Sequence, residues 1–184
     1  MKKLCTALIL CLVSIMARGQ YFREIGSYMS CELEHSIMAS NPEISADFLT
    51  FIYAENGTFL ALNGSELERL KQTLILVKEK YKELKESAIE NNASNAVLEF
   101  PYTFPTLRIG WYSEKYSKFV SSEPINLTPS FLIHDGEYIM FIMKDVISEN
   151  NETEKFIWKL CSETDFDRLI YYLDADLIKQ SFKK

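Results

Sequence analysis

Leu67, Leu70, Leu74, Val77, Tyr81, Leu84 and Ala88 recur at alternating spacings of three and four. Only an α-helix with one apolar face puts all of them on the same side. Lys and Glu make up most of the outer face, and Ser65 with Glu68 has the spacing of a capping box. The pattern predicts one long amphipathic helix over about 66–90. Three heptads of this kind also suit a coiled coil. Inside a chain that is otherwise rich in strand formers, a helix covering a sheet is the simpler solution.

What surrounds this helix sets the fold class. The run 48–53 is rich in β-formers, Asn56-Gly57 interrupts it, and 58–62 resumes it, which predicts a β-hairpin over 47–62. After the polar stretch 91–95 come short strand-like runs at 97–100, 107–112, 118–121, 131–134, 138–147 and 155–161. Asp135-Gly136 marks a tight turn, and 138–143 is apolar on both faces, as a central strand would be. A second helix closes the chain, capped by Ser162 or Thr164, with Phe166, Leu169, Ile170, Leu173 and Leu177 as its buried stripe. Near the start, Phe22, Ile25, Met29, Leu33 and Ile37 are spaced by three and four, which predicts a helical N-terminal segment over 21–39, ended by Asn41-Pro42. Strands that follow one another in runs predict an α+β fold with a mainly antiparallel sheet of about six to eight short strands. The long central helix and the C-terminal helix would cover it.

Lys2 and Lys3, an uncharged apolar run from Leu4 to Met16, and Ala17-Arg18-Gly19 have the layout of an export leader. The apolar run of about 13 residues falls short of the roughly 20 that a bilayer core demands. Residues 1–19 are therefore expected to be a signal peptide and 20–184 a single exported α+β domain, secreted or periplasmic, with no membrane association after cleavage. Losing Lys2, Lys3 and Arg18 would take the formal charge from −6 to −9. An acidic domain without a Lys/Arg cluster does not suit nucleic acid, where neutralising phosphates supplies most of the affinity. Cys5 and Cys11 fall in the leader, leaving Cys31 and Cys161. In an oxidising compartment these two pair most simply with each other. Two free buried thiols would carry the same sequence signature.

Catalytic chemistry has little to work with. Cys31 and His35, four apart on the expected helix, could act as a thiolate–imidazole pair, but a metal site would need a third ligand on that face. His134-Asp135 offers a base beside an acid with no serine in a nucleophile-elbow context. No zincin, P-loop or dinucleotide motif is present, so neither a metal nor a cofactor is expected. The aromatics Tyr102, Phe104, Trp111, Tyr112, Tyr116 and Phe119 crowd one region beside Pro101 and Pro105. They form a candidate surface for a protein, peptide or glycan partner.

These features point to an exported, non-catalytic binding protein of unknown ligand. The alternatives are a small secreted hydrolase using His134 or the Cys31/His35 pair, and an inhibitor or accessory subunit of another exported protein. Five of the nine asparagines, Asn56, Asn63, Asn92, Asn126 and Asn151, begin an Asn-x-Ser/Thr triplet, where chance predicts roughly one. Turn chemistry is the reading favoured over attached glycans, and either reading places these positions in exposed loops.

Overall fold

The computed structural model describes residues 22–42 and 48–183. The export leader expected over 1–19 lies outside the described residues. The fold is α+β: ten antiparallel strands in two sheets, with three helices among the described residues. The larger sheet contains β1 (Phe22–Ser30), β2 (Leu33–Ser40), β3 (Thr50–Tyr53), β4 (Phe59–Leu62), β6 (Arg108–Ser113) and β7 (Lys118–Ser121), side by side in that order. The smaller sheet has the order β10 (Thr153–Leu160), β9 (Glu137–Ile147), β8 (Ser130–His134), β5 (Asn95–Glu99). One sheet of six to eight strands is thus corrected to two sheets of six and four.

The helical N-terminal segment is also corrected: 22–40 is the β1–β2 hairpin. Of the five residues whose spacing suggested a helix, only Ile37 is buried, while Leu33 is exposed. The buried residues Tyr28, Ser30, Ile37 and Ala39 instead alternate, as a strand pair requires. A register shift between Glu24 and Gly26 resets that alternation midway along β1, so a bulge imitates the irregular spacing of a helix. The hairpin turns at Cys31, which sits in the left-handed region at φ 57°.

The other hairpin forms at the predicted place. Asn56 and Gly57 have φ of 59° and 70°, and Thr58 N–H donates to the Glu55 carbonyl at 3.2 Å. Two consecutive positive φ values match the twist of the flanking strands, and Asn-Gly adopts them at little cost. Helix α1 (Gly64–Glu90) starts two residues earlier than predicted and uses a different cap. Asn63 Oδ1 accepts from the N–H groups of Ser65 and Glu66, and Glu66 accepts from Asn63 N–H at 2.8 Å. Asn63–Glu66, not Ser65–Glu68, is the capping box.

The C-terminal helix is two helices, α2 (Glu163–Tyr172) and α3 (Ala175–Ser181), broken where Asp174 caps the second. The break shifts the helical phase, so Ile178 is buried where Leu177 was expected. The inner faces of both sheets and the predicted stripe of α1 share one core. Tyr81 anchors α1 there, its hydroxyl 2.8 Å from the carbonyls of both Tyr138 and Cys161. The three helices lie against these inner faces. Tyr172 of α2, for example, covers Gly26, where a Cβ would strike its ring.

Candidate functional site: an aromatic sheet face

The outer face of the larger sheet carries a row of rings drawn from five strands. Alternation aims Phe51 and Tyr53 of β3 outward, and Tyr53 pairs across the ladder with Phe59 of β4. Opposite Phe59 in β6 stands Gly110, where a Cβ would strike the Phe59 ring. The missing side chain lets that ring lie across the strand and reach Phe119 of β7, 5.7 Å away between centroids. Phe119 meets Tyr112 at 5.5 Å. At the opposite end, Phe22 of β1 pairs with the small Ser40 of β2 and reaches Phe51 of β3 at 5.2 Å. Most of these pairs are tilted or edge-to-face, the arrangements favoured by ring quadrupoles. All six rings are half-buried except Phe59, which its neighbours cover.

The structure divides the six aromatics singled out from sequence. Phe104 is 1% exposed and packs on Trp158 at 5.7 Å, and Trp111 is 3% exposed. Neither belongs to a contact surface, which corrects the expectation for these two. Trp111 and Val120 face inward, whereas their neighbours Tyr112 and Phe119 face outward onto the aromatic row. Tyr102 is half-buried against the core. Tyr116 projects from the β6–β7 turn between Lys115 and Lys118, their ammonium groups 4.9 and 5.8 Å from its ring centroid. Phe22, Phe51, Tyr53 and Phe59 were missed, because residues scattered from 22 to 119 meet only once register is known. Their signal was the outward parity of each strand.

Replacing Gly110 with valine tests whether the row is a built feature. The branched side chain must displace the Phe59 ring and with it the contact to Phe119. A cost of about 1–3 kcal/mol is expected from such overpacking. It would be measured as a lowered urea midpoint together with altered ring-current shifts of Phe59 and Phe119. Unchanged shifts would mean that the row is incidental.

The cysteines and histidines occupy other places. The Cys31 and Cys161 sulfurs lie at disulfide distance, with Cα atoms 5.1 Å apart, so the tip of the β1–β2 hairpin is fastened to the end of β10. His35 stands on β2, and its ring lies 5.6 Å from that of Tyr28. His134 is well exposed at the β8–β9 turn, 3.3 Å from Asn95 Oδ1 and 3.5 Å from Asp135. Among the described residues, no three His, Cys, Asp or Glu side chains converge as metal ligands.

His35 is the more buried of the two histidines. Its Nε2 is buried without a hydrogen-bond partner. Burial lowers its pKa, while the nearby Glu55 carboxylate, paired with Lys159 at 3.0 Å, pulls it back up. The neutral ring is thus favoured in the folded state, so the unfolded chain binds the extra proton first. Stability should be fully present above about pH 6.5, the ordinary imidazole value, and fall as pH drops below it. His35→Phe should flatten that slope in urea titrations between neutral and mildly acidic pH. An unchanged slope would assign the dependence to other groups.

Grooves elsewhere are open and largely self-paired. The one of about 400 Å³ between α1 and the two C-terminal helices is lined by Lys71, Tyr171, Asp174 and Gln180, and Lys71 is already bonded to Asp174 at 2.8 Å. In comparisons with protein-family models, curated proteins and solved structures, nothing matches this chain. Among the described residues no helix is long and apolar enough to cross a membrane.

Proposed function

We propose that the chain is an exported, non-catalytic binding protein that engages a protein partner through the outer aromatic face of its larger sheet. The observation that carries this reading is the continuous row from Phe22 to Tyr112 on the face opposite the helices, half-exposed except at the covered Phe59. Aromatic side chains are enriched at interfaces because they bring large area at small entropic cost. A broad face spanning five strands suits another macromolecule better than a small ligand, which prefers a concave pocket that buries most of its surface. Export rests on the leader read from residues 1–19, and a cysteine pair at disulfide distance suits an oxidising compartment. The geometry around His134 and Cys31 gives a hydrolase no support, since His134 faces solvent and the Cys31 sulfur meets Cys161.

A photoreactive benzoylphenylalanine at Tyr112, and separately at Lys82 on the exposed side of α1, tests the reading in the secreted fluid of the native source. An adduct of one defined mass at Tyr112, abolished by excess wild-type chain and absent at Lys82, is the expected result. Adducts at neither position, or equally at both, would remove the aromatic face as the binding site.

A further inference from the structure

Turn chemistry does not account for the five Asn-x-Ser/Thr triplets equally. At Asn56 the asparagine supplies a positive φ, and the Thr58 hydroxyl is buried and donates to the Glu55 carbonyl at 2.8 Å. At Asn63 the amide caps α1, and Ser65 Oγ donates back to it at 2.9 Å. At Asn126 the amide oxygen accepts from Thr106 at 2.7 Å, while Thr128 lies 3.3 Å from the hydroxyl of Thr103. In these three triplets the fold uses both residues.

Asn92 and Asn151 are different. Both are exposed, at φ of 51° and 58°, so a turn explains the asparagine. A turn does not explain the hydroxyl two residues later. Ser94 and Thr153 are exposed, and neither hydroxyl bonds to a protein group among the described residues. The Asn92 and Asn151 side-chain amides are equally unused by the fold. An amide and a hydroxyl at this spacing, exposed and without a structural task, are what an Asn-x-Ser/Thr glycosylation site presents.

The placement adds a second observation. Asn92 lies three residues before β5, and Asn151 lies two residues before β10. These are the two outer strands of the smaller sheet, each paired with a neighbouring strand on one side only; the Lys159 end of β10 lies against Glu55, so its open stretch is the Thr153 end. Unpaired edges invite pairing with other chains, and proteins blunt them with charge, proline or a covering group. Here the edges adjoin exposed apolar side chains: Val97 is 60% exposed on β5, and on β9 Ile147, which pairs with Thr153, is 57% exposed. None of the five triplet asparagines lies on the aromatic row of the larger sheet.

We propose that Asn92 and Asn151 carry N-linked oligosaccharides that flank the two open edges of the smaller sheet and leave the aromatic face clear. The reaction uses a lipid-diphosphate-linked oligosaccharide supplied by a secretory pathway. The bond between the anomeric carbon and the phosphate oxygen breaks, and a bond from that carbon to Asn Nδ2 forms. The amide gives up one proton and the lipid diphosphate leaves. This inference rests on the export reading and narrows it to a glycosylating secretory route.

The test expresses the full 184-residue chain in cultured eukaryotic secretory cells. Chain recovered from the medium and from the lysate is digested with N-glycosidase in heavy-oxygen water, then mapped by peptide mass. Labelled aspartate at positions 92 and 151 is expected, with Ser94→Ala and Thr153→Ala each removing one label while the unfolding midpoint stays unchanged. Enzymatic deglycosylation of the folded protein should also increase its self-association. Chain in the medium with unmodified Asn92 and Asn151 overturns the inference and leaves the export reading standing. Chain held in the cytosol with its leader intact overturns both.

Discussion

Trp158→Ala should destabilise the protein by about 3–5 kcal/mol, the range measured when a large aromatic is removed from a core. Trp158 is fully buried on the inner face of β10, 5.7 Å between centroids from Phe104. Its indole N–H donates to the Tyr28 hydroxyl at 2.8 Å, which donates in turn to the Tyr53 carbonyl at 2.6 Å. One side chain thereby links β10 of the smaller sheet to β1 and β3 of the larger. Truncation leaves a cavity where the two sheets meet and strips Tyr28 of its donor. Trp158→Phe keeps most of the volume and removes the N–H, so it should cost distinctly less. Urea unfolding of both variants gives the comparison. Equal costs would show that the hydrogen bond, and not the packing, carries the effect.

Removal of the Cys31–Cys161 link is the second large effect. The two residues are separated by 130 positions, and the loop-entropy model assigns a cross-link of that span about 4–5 kcal/mol, with measured values often smaller. The Cys31→Ser/Cys161→Ser double variant should lose several degrees of thermal midpoint. Hydrogen exchange should rise first in β1 and β2, whose turn the bond holds against β10, while α1 stays protected. A uniform rise would mean that the hairpin is held by packing alone. The wild-type chain, denatured without reductant, should take up no alkylating label at either position.

Much of the fold is legible in the residue order, and the reason is local. Helix α1, the β3–β4 hairpin and the cysteine pair each announce themselves within a short window or by elimination. The capping box was displaced by two residues because Asn63-Gly64-Ser65-Glu66 and Ser65-Glu66-Leu67-Glu68 offer the same chemistry in overlapping frames, and the start of the buried stripe does not choose between them. The N-terminal hairpin was misread because the bulge after Glu24 breaks strict alternation just where a period of two would have shown. The candidate surface was half legible. Trp111 and Tyr112 are adjacent in sequence and lie on opposite faces of β6, so aromatic density alone cannot sort them. The residues that complete the row come from β1, β3 and β4, and only sheet register brings them together.

The fastening between the first hairpin and β10 also orders events in time. Cys31 leaves the ribosome early, and its partner follows 130 residues later with no cysteine between them. Nearly the whole domain must therefore be made before the bond can close. During that interval the β1–β2 tip has no intervening thiol with which to mispair. Its closure then acts as a seal on a chain that is already largely made.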